Sequence, residues 1–300
     1  MEPTVPYGIF ELPMRDGSRI RVRMHGNPTG PRMFVLHGNG FASDAYLPFW
    51  RYFTNRFDIV ISDLRNHGQN PRSDPERHTF LDMVADLDAM VDGVEKKGGK
   101  KPRVGIFHSV SGLIAARAAK DLARRWDAVV LIDPPTAPKQ THPAYERASA
   151  FEDKLVTFAL SRRRRFRQVD ELAEEFRNSR VGAGWVSEAW EMMARSILRE
   201  AEDGGGYELV CSPELEARLY REGSQFDIGP AASEFGGPAM LIGADPSLRH
   251  GPPTGEINRT VAEEGGFKYA YIDGCGHMLQ LEKPFAAARI VSGFLQNIRN

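Results

Sequence analysis

The sequence predicts an α/β protein: a mainly parallel sheet, opened by an antiparallel hairpin, flanked by helices and interrupted late in the chain by a helical insertion. Three observations predict it. Short, almost uninterrupted apolar runs alternate with segments of helical periodicity, the pattern of strands buried on both faces of a parallel sheet. Asp16-Gly17 separates two alternating segments near the start, and both residues tolerate the positive φ angles of a tight hairpin. Between about residues 135 and 235 the strand signal fades and charged amphipathic patterns replace it.

The hairpin strands are expected over Gly8 to Met14 and Arg19 to Met24. Buried strands follow at Met33 to Leu36, Phe57 to Ser62, Arg103 to Phe107, Ala128 to Ile132, Ala239 to Ile242 and Lys268 to Ile272. A helix is predicted over Phe80 to Lys96, where Leu81, Val84, Leu87, Met90, Val91 and Val94 recur on one face. Others are expected over Leu113 to Trp126 and over Pro284 to Ile298, which starts with a proline where a helix tolerates one. The insertion contributes Ala144 to Leu160, Val169 to Arg177, Ser187 to Glu202 and Pro213 to Glu222. The core is thus assigned to residues 1–134 and 236–300, and a helical cap to 135–235.

With 300 residues, 41% of them hydrophobic, the chain can bury one large core and a smaller subdomain. A formal net charge of -1 gives no support for a nucleic-acid partner. The two cysteines, Cys211 and Cys275, lack the spacing of a disulfide framework or a structural zinc site. No segment has the apolar length of a membrane span, and the N-terminus lacks a signal pattern, so a cytoplasmic location is expected. A homo-oligomer is compatible with these properties.

The most informative segment is Val104-Gly-Ile-Phe-His-Ser109-Val-Ser-Gly112, an apolar strand passing abruptly into a helix. Such an elbow lifts a serine hydroxyl above the sheet edge and leaves helix N-terminal N–H groups free to receive an oxyanion. Ser109 is the candidate nucleophile, and Ser111 is its rival. Phe107, bulky where a small residue is usual, must point into the layer beneath the sheet or open the turn.

Three further segments follow strands and meet the same edge. His37-Gly38-Asn39-Gly40 suits an oxyanion hole, with the backbone N–H groups of Asn39 and Val110 as donors. His277, in Asp273-Gly-Cys-Gly-His277, is the expected base, because histidine alone titrates near neutrality unperturbed. His37 and His67 belong to glycine turns, His108 should point away by strand alternation, and His142 and His250 lie beside prolines. The acid that orients His277 is assigned to Asp245, after the strand Ala239 to Ile242, with Asp133, after Ala128 to Ile132, as the alternative. Asp63 and the turn to Gly68 are expected to brace the site's loops.

Together, His37-Gly-Asn-Gly40, Asp63-Leu-Arg-Asn-His-Gly68, His108-Ser-Val-Ser-Gly112 and Gly274-Cys-Gly-His277 resemble the α/β-hydrolase fold superfamily. The resemblance implies an eight-stranded, mostly parallel sheet with a helical cap over the serine.

The expected activity is cleavage of an ester-like bond in a small substrate by a Ser109, His277, Asp245 triad, through an acyl-enzyme and with no cofactor. His37, Gly38, Gly40, His108 and Met278 are expected to border the substrate, with Phe158, Trp185 and Trp190 from the cap. Phe151, Leu155 and Met193 are further apolar cap positions. Arg162-Arg163-Arg164-Arg165 reads either as a solvated face paired with acidic neighbours or as an anion clamp for a coenzyme A thioester. Thioesterase and lactonase activities are alternatives on the same residues, and a ligand-binding protein with little turnover is an alternative of another class. A metal-dependent hydrolase using His37 and His67 lacks a recognisable ligand spacing.

Overall fold

The structure, a computed structural model, describes residues 5–223, 229–249 and 251–296. It opens with strands β1 (Gly8–Pro13), β2 (Arg19–Gly26) and β3 (Arg32–Leu36), the short helix α1 (Leu47–Trp50) and β4 (Asp58–Ser62). Helix α2 (Phe80–Gly98), β5 (Arg103–His108), α3 (Val110–Asp121) and β6 (Ala128–Ile132) follow. The inserted segment then supplies α4 (Tyr145–Ser161), β7 (Arg165–Phe166), α5 (Val169–Asn178), α6 (Ser187–Ile197), β8 (Leu198–Glu200), β9 (Tyr207–Leu209) and α7 (Pro213–Gly223). The chain returns through β10 (Ala239–Gly243), α8 (Thr254–Gly265), β11 (Lys268–Tyr271), α9 (Leu279–Glu282) and α10 (Pro284–Phe294).

Eight strands form one sheet in the order β1-β2-β4-β3-β5-β6-β10-β11. Pairings from β4 to β11 are parallel, whereas β2 runs antiparallel to both β1 and β4. From β3 the chain proceeds outward to β4, and from β5 it proceeds the other way to β6. The carboxyl ends of β3 and β5 therefore flank a switch in connection direction, the place where open α/β sheets leave a crevice. His37 and Ser109 both emerge there.

Strand alternation divides the core. Phe34 and Leu36 face α2 and α3, while Met33 and Val35 face the layer formed by α1, α9, α10 and part of the insertion. Helix α2 starts at Thr79, whose Oγ1 accepts the Asp82 N–H, and stops at Gly99, with φ of 75°. In α3, Ala115, Ala116, Ala118 and Ala119 are all buried, so small side chains let this helix lie close to the sheet. Trp126 meets Phe34 and Phe107 edge-on at centroid distances of 5.6 and 5.1 Å. Each such pair contributes about 0.5–1.5 kcal/mol beyond area burial.

Two expectations change. The helix foreseen over Ser187 to Glu202 ends at Ile197, because Leu198–Glu200 pairs with β9 in a second, three-stranded sheet of order β7-β9-β8. Helix α3 begins at Val110 and stops at Asp121, before Ala123 takes a positive φ of 52°. Helix α8 was not among the helices expected. Of the helix expected over Pro284 to Ile298, the last two positions lie outside the described residues, as does His250.

Candidate active site

Ser109 follows β5 in a strained conformation, φ 56° and ψ −129°, and stands as the N-terminal cap of α3. Its N–H donates to Ile132 O at 2.8 Å and its carbonyl accepts from Gly112 N–H at 2.8 Å, so the backbone is pinned on both sides. Pro134 Cβ would lie 3.2 Å from a Cβ on Gly112, which explains a glycine in the first turn. Ser109 Oγ lies 3.0 Å from His277 Nε2, and His277 Nδ1 lies 2.7 Å from Asp133 Oδ2. Ser111 is fully buried, and its hydroxyl is taken up by the carbonyls of Leu36 and His108 at 3.1 and 2.8 Å. The rival serine thus anchors the elbow to β3.

Phe107 resolves its crowding by lying over Gly105 on the same face of β5 and against Trp126. It points into the layer beneath the sheet, and the elbow remains a tight turn.

The carboxylate beside His277 is Asp133, which corrects the assignment of Asp245. Asp133 follows β6 directly, at a φ of 41°, and is fully buried. Its Oδ1 accepts from Ala244 N–H and Asn258 Nδ2, each at 2.8 Å, and its Oδ2 from Thr254 Oγ1 at 2.6 Å. With the acid acting as acceptor, His277 carries its proton on Nδ1 and turns the Nε2 lone pair toward Ser109. Asp245 instead accepts the Gly274 N–H at 2.7 Å and the Ser247 N–H at 2.8 Å. The Gly274 bond, then those from Ser247, hold its carboxyl below the usual range. Its own N–H donates to Cys275 O at 2.8 Å, so Asp245 shapes the loop that carries His277 without touching the imidazole. The physical reason is lateral: β6 is the immediate neighbour of β5, and β10 lies one strand further out.

Across the crevice, Gly38 N–H donates to Tyr46 Oη at 3.3 Å and Gly40 N–H to His67 Nε2 at 3.1 Å. Between them the Asn39 N–H has no acceptor among the described residues, and the Val110 N–H lies in the first turn of α3, where helices leave donors unpaired. A Cβ on Gly38 would stand 2.9 Å from Ser109 Cβ, so only glycine allows this approach. Gly40, at φ 73°, packs against the Glu216 carboxylate of α7, and Asn39 Nδ2 donates to Glu216 O at 2.8 Å.

His37 is fully buried. Its Nδ1 donates to Gly38 O at 2.6 Å and its Nε2 accepts from Leu64 N–H at 3.0 Å, so it shapes the loop rather than bordering a substrate. Burial pushes its pKa down. Asp63, as expected, braces these loops: it accepts from Ser43 N–H, Gln69 N–H and the buried Arg23 at 2.8, 3.1 and 2.9 Å. Burial favours its protonated form, but the Arg23 guanidinium holds its carboxyl below the usual range.

Several expected substrate contacts fall elsewhere. His108 is 1% exposed, with both ring nitrogens hydrogen-bonded inside the protein. Phe158 is 55% exposed, in a surface hollow with Ala150, Asp153, Lys154 and Thr157. Trp185 is buried against Phe176 and Phe41, and Trp190 donates to Gly182 O at 2.8 Å beneath the Arg177 guanidinium. Met278 and Met193 are buried in the core. Sequence reasoning missed Tyr46, Glu216, Thr254 and Asn258. No periodic signal marked them, although a polar residue facing the core side of a helix is the trace Asn258 leaves.

The arginine run is neutralised residue by residue. Arg162 forms a buried pair with Glu216, Arg163 meets Glu171 and Glu175 at 2.9 and 3.0 Å, Arg164 pairs with Glu214, and Arg165 with Asp203. His67, His78 and Cys211 bring potential ligand atoms within 4.8 Å of one another. His67 Nδ1 donates to Arg65 O and its Nε2 accepts from Gly40, while His78 Nδ1 faces the Asn66 amide nitrogen. Burial also pushes the Cys211 thiol well up.

A family model described as "Alpha/beta hydrolase family" matches residues 33–290. An uncharacterised hydrolase of Bacillus subtilis, YugF, is 27% identical over 146 residues, which cover 48% of this chain and 50% of that protein. The polyketide synthase ThaQ of Burkholderia thailandensis is 28% identical over 144 residues, 46% of this chain and 6% of that one. The matched stretch thus spans half of one relative and a small part of the other. Among solved structures, E-2-(acetamidomethylene)succinate hydrolase superposes with a TM-score of 0.78 over 96% of this chain and 99% of its own, at 16% identity. At that identity the likeness is one of fold.

Proposed function

The chain belongs to the alpha/beta hydrolase family, and on that premise we propose that it is a serine hydrolase, carboxylesterase-like, acting on an ester-like bond of a small, neutral, partly apolar substrate. One observation carries the reading: Ser109 Oγ, the His277 ring and the Asp133 carboxylate are connected by contacts of 3.0 and 2.7 Å at the carboxyl edge of the sheet. As Ser109 Oγ attacks the carbonyl carbon, its proton passes to His277 Nε2, and Asp133 stabilises the imidazolium. The developing oxyanion is received by the N–H groups of Asn39 and Val110. Collapse breaks the bond to the leaving group, which takes the proton from His277. Water deprotonated by His277 then releases the acid and restores Ser109.

Residues 135–235 act as the cap, and Glu216 places α7 over the oxyanion loop. Because each of Arg162 to Arg165 faces an acid, the run offers no uncommitted cation to a coenzyme A thioester, and a neutral ester or lactone is favoured. A binding protein without turnover gains nothing from a strained Ser109, whose backbone costs about 1–3 kcal/mol.

Labelling with a fluorophosphonate probe tests the reading. The adduct is expected on Ser109, present in Ser111→Ala and absent in Ser109→Ala and His277→Ala. An adduct mapped to Ser111, or one that persists without His277, would overturn it.

A further inference from the structure

The groups flanking the candidate triad are joined by a hydrogen-bonded strut that the triad itself does not require. Gly38 N–H donates to Tyr46 Oη at 3.3 Å, and Tyr46 Oη lies 2.7 Å from His108 Nδ1. His108 Nε2 lies 3.0 Å from the carbonyl oxygen of His277. Only one proton arrangement satisfies all three contacts. The His277 carbonyl can only accept, so His108 must carry its proton on Nε2; Nδ1 is then an acceptor, and the Tyr46 hydroxyl donates to it. Tyr46 in turn uses an oxygen lone pair for Gly38 N–H. Every donor in the strut points the same way, from the oxyanion loop toward the loop of the base.

Its position matters as much as its polarity. His108 is bonded directly to Ser109, Gly38 directly to Asn39, and the carbonyl that His108 holds belongs to His277 itself. The His108 and His277 ring centroids are 4.7 Å apart. Tyr46 and His108 are each 1% exposed, so no water competes for these bonds. Burial, and then the nearness of His277, keep His108 neutral by lowering its pKa well below the ordinary histidine value.

We propose that Tyr46 and His108 are positioning residues that fix the base, the nucleophile and the oxyanion donor in one register. The inference rests on the reading of Ser109 and His277 as nucleophile and base. His108 touches no substrate; it acts by holding the His277 backbone while Tyr46 holds the loop that presents Asn39 N–H.

The test compares His108→Leu, which removes both bonds, with His108→Gln, whose amide can still donate to the His277 carbonyl. Fluorophosphonate labelling and p-nitrophenyl acetate turnover are followed together with the thermal midpoint. His108→Leu is expected to lower the labelling rate and kcat about 100-fold, the scale of an ångström-sized misplacement, with KM changed less than about threefold. His108→Gln is expected to recover to within about tenfold of the native rate. Rates in His108→Leu equal to native, or a His108→Gln no better than His108→Leu at matched thermal midpoints, would overturn the strut.

If the native protein never labels, the triad reading fails instead, and the strut is judged by 15N NMR of the histidine rings in Ser109→Ala. A single His108 Nε2–H tautomer that becomes mixed on adding Tyr46→Phe is the expected result. A tautomer indifferent to Tyr46 would overturn it.

Discussion

The ring of Phe107 occupies the space a side chain at Gly105 would need: a Cβ there would stand 2.2 Å from Phe107 Cε2. Two residues of one strand face are therefore complementary, and the bulk before the elbow is accommodated by its absence one pleat earlier. Gly105→Ala should destabilise the fold by about 1–3 kcal/mol, as overpacking does. Phe107→Leu combined with Gly105→Ala should recover part of that loss, since residues in contact do not act additively. Urea midpoints of the two single variants and the double variant measure the coupling, and simple additivity would refute the relationship.

Asp133 and Asp245 separate by kinetics. Asp133→Asn should lower kcat about 10⁴-fold, because an amide can present an N–H to His277 and favour the wrong tautomer. Asp245→Asn loosens the Gly274 turn and should cost far less. Turnover of p-nitrophenyl acetate by both variants checks the order, which must invert if Asp245 is the acid.

Within the arginine run, burial decides the effect. Arg162→Gln strands the Glu216 carboxylate in the interior and should destabilise by about 3–5 kcal/mol. Arg163→Gln breaks a half-exposed pair and should change stability by less than about 1 kcal/mol. Combined replacement of Arg163, Arg164 and Arg165 by glutamine should affect hydrolysis of a coenzyme A ester and of a neutral ester equally. A selective loss with the coenzyme A ester would revive the clamp.

Acid should weaken the fold from about pH 6.5 downward. Burial lowers the pKa values of His37, His67, His78 and His108 from 6.5, that of His78 to about 3. Below the unfolded value the unfolded chain binds protons that the folded chain refuses. Each such histidine therefore removes about 1.4 kcal/mol per pH unit through its window, which for His78 runs from 6.5 to about 3. Asp86 opposes this, since burial raises its pKa from 3.8 to about 6 and its folded form retains a proton in that interval. Burial raises the carboxyls of Asp44 and Glu152 in the same sense, and the four histidines are set against these three acids. Urea midpoints at pH 7.5, 6.5 and 5.5 should fall in that order, and His78→Gln should flatten the decline.

The legible parts of this site follow from sheet geometry. Ser109, the His37 loop and His277 each come directly after or just beyond an apolar run, so one rule placed all three at the same edge. That rule could not separate Asp133 from Asp245, because both satisfy it. Their distinction lies in strand order, β5-β6-β10, and in Thr254 and Asn258, which reach Asp133 from α8. Tyr46 was hidden for a related reason: it closes a single 3-10 turn, Ser43–Tyr46, too short to carry periodicity. Strands β7, β8 and β9, of two or three residues each, fall below the length at which alternation can be read.

The contact between α7 and the loop after β3 ties the inserted segment to the sheet edge. Asn39 is tied through its side chain to Glu216 O, and Gly40 rests on the Glu216 carboxylate, itself locked to Arg162. A displacement of α7 would therefore pull on the Asn39 peptide, the one proposed above to receive the oxyanion. The inserted segment and that loop therefore share one anchorage, and a change at Glu216 reaches both.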